Sequence, residues 1–183
     1  MNSIFLAQLF GILGAASMMI SSWQKKRKRI FFFLLFDNIF YFLQYIVLNA
    51  YSGAFINVVG LARTIIFSKK GESKFLKTNY PLYLIIILNI VVNIFTYDGI
   101  KSLFPAIASI IYAIVLWQEK PKSIRKGTSI MLLMWFVYDI TVNAYVGALT
   151  EGILFISSVI ALYKFDIRKE QKNEQSNEHQ YSV

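Results

Sequence analysis

No cysteine stands anywhere in the 183 residues. That excludes disulfides, thiolate metal ligands and thiol nucleophiles together. There is a single histidine, His179, inside the polar segment KNEQSNEHQYSV, and one imidazole cannot assemble the three or four ligands of a zinc site. The sequence has no Gly-rich phosphate loop, no HExxH and no Ser-His-Asp set, so no metal, cofactor or enzymatic chemistry is expected. Charge is scarce as well: 16% of residues are Asp, Glu, Lys or Arg, against about a quarter in soluble domains. What fills the chain is apolar, 56% of it, with a mean hydropathy of +0.52.

The apolar residues come in seven runs, at about 3–23, 30–49, 52–67, 80–97, 102–118, 127–146 and 147–163. A helix crossing a bilayer needs about 20 such residues. The expected fold is therefore an all-α integral membrane protein with seven transmembrane helices. The first run has no basic segment before it and no small-residue cleavage motif after it, so it reads as a span and not as a signal peptide. The net charge of +9 is concentrated in loops, QKKRKR at 24–29, SKKGESKFLKTN at 68–79 and EKPKSIRK at 119–126. Those are the first, third and fifth loops, whereas the even loops carry almost no net charge. Basic loops mark the cytoplasmic side, which predicts an outside N-terminus and a cytoplasmic C-terminus. The same placement argues against nucleic acid as a partner. The segment after Tyr163, and 166–183 in particular, is polar and is expected to be a disordered cytoplasmic tail.

Residues 9–70 align on residues 103–164 at a constant shift of 94, without gaps, with 17 identities in 62 positions. The matches cluster: WQKKRKRI (Trp23–Ile30) on WQEKPKSI (Trp117–Ile124), and NAYSGA (Asn49–Ala54) on NAYVGA (Asn143–Ala148). Each copy holds three helices, and the run 80–97 lies between them. A lone linking helix restores the chain direction, so the repeats are expected to be parallel about an axis along the membrane normal. This divides the chain into a first bundle (1–70), a linker with a fourth helix (71–100) and a second bundle (101–165). The NAYxGA stretches read as twin turns, with Asn49 and Asn143 bonding the exposed turn and Gly53 and Gly147 supplying angles closed to other residues.

The 3+1+3 layout, with Trp23-Gln24 and Trp117-Gln118 ending the first helix of each copy, resembles the PQ-loop/SWEET transporter superfamily. There the dipeptide is Pro-Gln, and the helix-kinking proline is missing here. The stretch QLFGILGAASMMISSWQKKRKRIFFF, followed by INVVGLARTIIF, resembles more specifically the YgjV-like family of bacterial inner-membrane proteins. That resemblance covers most of residues 5–70 and more loosely the rest. It implies a multi-pass plasma-membrane protein and implies no particular activity.

Charges inside a bilayer are costly and are functional by default. Asp37, Arg63, Asp139 and Glu151 fall in the runs, joined by Gln8, Asn38, Gln44, Asn57, Asn89 and Asn93. Asp37, Tyr41, Gln44 and Leu48 share a helical face, as do Trp135 and Asp139. The repeat pairs Tyr41 with Trp135 and Asn57 with Glu151, so an aromatic precedes a polar residue by 16 positions in both copies. SWEET-like proteins place an aromatic and an asparagine similarly around their solute. The resemblance therefore implies a central substrate site of Tyr41, Asn57, Trp135 and Glu151, with Asp139 and Gln44 nearby. Rings would stack on the solute and an amide would orient it. An acid at 151 favours a cationic or hydrogen-bond-donating solute, or a protonatable coupling group. Asp37 and Arg63 have no charged equivalents in the second copy; they are expected either to pair as a packing or gate contact, or to leave Arg63 snorkelling to the surface. The function expected is a small-solute transporter or facilitator working by rocking of two bundles. The alternative is a sensor, receptor or scaffold on the same fold. The expected partners are the lipid bilayer and a small solute, and a homo-oligomer is compatible with the sequence.

Overall fold

The computed structural model describes residues 3–22, 27–118 and 121–163. Trp23, Gln24, His179 and the segment 166–183 lie outside them. The described residues are helical throughout, apart from short connections: α1 (Ser3–Ser22), α2 (Arg27–Val47), α3 (Tyr51–Ser68), a short α4 (Lys74–Lys77), α5 (Tyr80–Phe95), α6 (Leu103–Gln118), α7 (Pro121–Thr141) and α8 (Tyr145–Leu162). A single 3-10 turn (Ile100–Ser102) leads into α6. Among the described residues, four segments are long and apolar enough to cross a membrane: Ser3–Ser21, Lys28–Val47, Tyr51–Ser68 and Ile100–Gln118. Tyr80–Phe95 and Tyr145–Ile160 are apolar but shorter. Large apolar side chains point outward along the helices, among them Phe5 and Ile12 on α1, Ile87 and Ile94 on α5, and Leu149 and Ile153 on α8. Water would not tolerate so broad an exposed apolar surface.

Three helix limits differ clearly from the apolar runs. Both α2 and α7 begin inside basic segments, at Arg27 and Pro121. Lys and Arg are good helix formers, so the helix continues past the end of the apolar stretch. At the other limit α7 stops at Thr141, because the NAYVGA turn interrupts what reads as unbroken hydrophobicity.

The packing follows the repeat. Each of α1, α2, α3, α6, α7 and α8 touches the next, and α8 returns to α1, which closes a ring of six. The shift of 94 turns α1, α2 and α3 into α6, α7 and α8, and so exchanges the α3–α6 contact with the α8–α1 contact. Helix α5 breaks the pattern: of the ring helices it packs chiefly on α3 and α6, and the short α4 also touches it. Small residues set how closely the helices approach. A Cβ on Gly11 would fall 2.7 Å from Gln44 Nε2, and one on Gly14 would fall 3.0 Å from the Tyr41 ring.

The twin turns are built alike, though not around their glycines. Asn49 and Asn143 carry the left-handed backbone, at φ 55° and 60°. The Ala50 and Ala144 N–H groups donate to the carbonyls five residues back, at Tyr45 and Asp139, and Asn49 and Asn143 donate to Ile46 and Ile140. That is a Schellman ending, whose left-handed position asparagine tolerates after glycine. Tyr51 and Tyr145 each donate a hydroxyl to the Asn49 or Asn143 side chain. Gly53 and Gly147 lie inside the first turns of α3 and α8, with no unusual backbone angle. They are needed for space: an added Cβ would meet the Tyr138 ring at Gly53 and the Asp139 carboxylate at Gly147.

Candidate functional site

A cavity of about 50 Å³ lies inside the ring, and all six ring helices line it. Four repeat-equivalent pairs face it: Met18 with Tyr112, Asp37 with Met131, Tyr41 with Trp135, and Asn57 with Glu151. The lining thus pairs repeat-equivalent positions, but its chemistry is not symmetric. The charged lining residues are Asp37 and Arg63 from the first copy and Glu151 from the second.

One bond joins two repeat-equivalent positions directly. The Tyr45 hydroxyl donates to Asp139 Oδ1 at 2.5 Å, and the two residues are 94 apart in sequence. They are repeat equivalents, one on α2 and one on α7. The Tyr45 ring is stacked between Tyr41 and Trp135, at 6.1 and 5.7 Å between centroids. Tyr138 packs edge-on against both Tyr45 and Trp135. This aromatic layer separates the cavity from an open recess of about 660 Å³ at the end carrying the twin turns. The recess is lined by both turns, Tyr138 and the ion pair of Asp98 with Lys101.

The same end is fastened across the bundles. The Tyr138 hydroxyl accepts from Gly53 N at 2.9 Å and lies 3.0 Å from Ser52 Oγ, which joins α7 to the first turn. Gln8 on α1 holds the second turn, donating to the Asn143 carbonyl at 3.0 Å and accepting from Val146 N at 2.9 Å. At the opposite end Trp117 is buried on Phe67. Its indole N–H donates to Asn79, and its carbonyl accepts from Lys70. Trp117 thus ties the α3–α5 connection to α6, whereas Gln118 is exposed.

The expected substrate-site residues divide two ways. Tyr41, Asn57, Trp135 and Glu151 all reach the one cavity. Gln44 and Asp139 are fully buried but do not line it. They sit nearer the twin turns, Gln44 pressed against Gly11 of α1 and Asp139 beneath Gly147 of α8. Direction separates them from the cavity, not depth alone: Tyr45, one residue nearer the turn than Gln44, does line it, whereas Gln44 turns to α1 and Asp139 to α8. The rings of Tyr41 and Trp135 are engaged by Tyr45, and the Asn57 amide N–H₂ donates to the Gly53 carbonyl of its own helix.

Asp37 and Arg63 share the cavity, yet no ion pair closes between them, and Arg63 is buried and not snorkelling. The guanidinium turns to α6 instead. Its Nη1 donates to Ser109 Oγ at 3.3 Å and to the Ser109 carbonyl at 3.5 Å, and its carbon lies 4.7 Å from the centre of the Tyr112 ring. Among the described residues, four buried lining atoms find no hydrogen-bond partner: Asp37 Oδ1, Tyr41 OH, Arg63 Nε and Glu151 Oε2. Each would cost about 1–3 kcal/mol if left unmet. Such a concentration in one cavity calls for an explanation beyond packing.

Tyr45, Tyr112 and Ser109 were not singled out by the sequence. Tyr45 could have been found, since the repeat sets it opposite Asp139. Tyr112 and Ser109 carry no such signal, because their equivalents are Met18 and Ala15. Among the described residues no group of histidine, cysteine and acidic side chains could hold a metal ion. The cavity can offer a solute two acids, one guanidinium and several hydrogen-bonding groups.

Neither a curated protein nor a solved structure matches the chain. A family model for bacterial inner membrane proteins, Imp-YgjV, matches residues 5–169. With nearly the whole sequence covered and several helices able to span a bilayer, the chain belongs to the Imp-YgjV family of bacterial inner membrane proteins.

Proposed function

We propose that this inner membrane protein is a small-solute transporter or facilitator. In this reading seven helices span the bilayer as 3+1+3, with the N-terminus outside and the basic loops in the cytoplasm. The two three-helix bundles rock about the repeat axis, and no catalytic step is involved. The observation that carries it is the cavity inside the ring, lined by every ring helix and holding four buried polar atoms that no described residue satisfies. Duplicated bundles around a midplane site are how many transporters alternate access. The aromatic layer of Tyr45, Trp135 and Tyr138 would act as the outer gate, with the recess beyond it as the vestibule.

One observation favours the sensor or scaffold alternative. At about 50 Å³ the cavity is far below the volume of about 300–1,000 Å³ usual for ligand pockets. A transporter must therefore open it. The cysteine-free chain allows a direct test. Single cysteines at Met131 and Asn57 are labelled with a membrane-impermeant thiol reagent, in whole cells and in inside-out vesicles. A transporter exposes both positions to each side in turn. Labelling from neither side at either position rejects rocking and favours the scaffold.

A further inference from the structure

The cavity also carries information about what it would hold. Arg63 is almost fully buried and is fixed on two sides, by Ser109 at Nη1 and by the face of Tyr112. Its Nε has no partner, and no hydrogen bond from the described residues occupies Nη2. The free side of the guanidinium is thus its Nε–Nη2 edge, whose parallel N–H groups match the two oxygens of a carboxylate. Around the same space lie Asp37 Oδ1 and Glu151 Oε2, also unpartnered, together with the Tyr41 hydroxyl. One cation and two acids make a mixed-charge pocket. A simple anion would meet two carboxylates, a simple cation would meet the guanidinium, and a neutral polyol would leave buried charged groups unpaired. Each mismatch penalises the wrong solute.

We propose that the cavity takes a small zwitterion carrying a carboxylate and an ammonium on one short skeleton, of the amino acid type. The carboxylate lies along the Nε–Nη2 edge of Arg63, and the ammonium lies between Asp37 and Glu151. The small volume points to the smallest members of that class. This rests on the transport reading for the use made of the site, but it is tested by binding alone.

The experiment uses the full chain in detergent and four probe types: glycine and alanine; their amine counterparts methylamine and ethylamine; their acid counterparts acetate and propionate; and glucose. Binding is read as thermal stabilisation and as slowed thiol labelling of a Met131→Cys variant. Glycine or alanine should protect, and removing either charged group should weaken protection roughly tenfold or more, because a site built around a polar group rejects the analogue lacking it. Glu151→Gln, which keeps the side-chain shape, should weaken zwitterion binding while the protein still melts cooperatively. Arg63→Gln should abolish the preference for alanine over ethylamine. Equal protection by alanine and propionate, protection by glucose alone, or no protection by any probe overturns the zwitterion assignment. If Met131→Cys still labels from both membrane faces in those cases, the transport reading stands without it.

Discussion

Replacing Gly53 with alanine probes the joint between the two bundles. An ideal Cβ there falls 2.6 Å from Cε1, 2.8 Å from the hydroxyl oxygen and 3.0 Å from Cζ of Tyr138. All three atoms belong to one rigid ring, so no flexible chain end can swing away. The ring is also held in place, by the Gly53 N–H and Ser52 at its hydroxyl and by Tyr45 and Trp135 at its sides. Two effects oppose each other. Alanine is favoured over glycine in a helix by at most about 1 kcal/mol, and less in a first turn. Overpacking costs about 1–3 kcal/mol, and shifting the hydroxyl leaves the buried Gly53 N–H unpaired for about 1–3 kcal/mol more. The loss should outweigh the gain by about 2 kcal/mol, a fall in Tm of roughly 4–8 °C for a chain of this size. Gly152→Ala serves as the control, because its Cβ would meet the Phe136 ring at 3.3 and 3.5 Å, close to ordinary contact. The assay is thermal unfolding in detergent followed by tryptophan fluorescence, to which Trp135 contributes from beside the altered ring. If Gly53→Ala melts at or above Gly152→Ala, the two bundles are not locked at Tyr138.

Reporter fusions at Lys70 and Lys126 should read cytoplasmic and one at Gly99 external, following the basic loops; a cytoplasmic Gly99 with an external Lys126 would remove both the orientation and the parallel repeat. Tyr45→Phe should cost about 1–3 kcal/mol by stranding the buried Asp139 carboxyl, and adding Asp139→Leu should recover part of that in thermal unfolding. No recovery would mean that the bond between the repeat equivalents contributes little. Gln8→Ala should remove two hydrogen bonds from the second turn, lowering stability by about 1–3 kcal/mol and speeding hydrogen exchange at the Val146 amide. An unchanged exchange rate there would show that α1 does not hold that turn.

The repeat register was the most informative feature of the sequence. It brought Tyr41 and Trp135, and Asn57 and Glu151, to one cavity, because two-fold packing converts a constant offset into proximity. Where the register is silent, the sequence misleads in particular ways. Asp37 and Arg63 look like a pair on neighbouring helices, but Ser109 and Tyr112 on α6 offer Arg63 a carbonyl, a hydroxyl and a ring face. Nothing local to α2 or α3 reveals that competitor. Gln44 shares a helical face with Tyr41, yet the glycine that receives it is on α1. The glycines of NAYxGA suggest a strained turn, but their absent side chains make room for residues far away in sequence. In each case a partner from another helix, supplied only by the closed ring, decides the outcome.

The bond between Tyr45 and Asp139 also limits how this architecture can be assembled. A residue on a two-fold axis faces its own counterpart. In a symmetric pair of identical three-helix chains, that counterpart is the same amino acid, either tyrosine against tyrosine or carboxylate against carboxylate. A phenol on one side and a carboxylate on the other require the two halves to differ. Here they differ within a single polypeptide, which also fixes their stoichiometry at one to one. Two first halves, brought together without the second, would lack both Glu151 and the carboxylate at the centre of the ring.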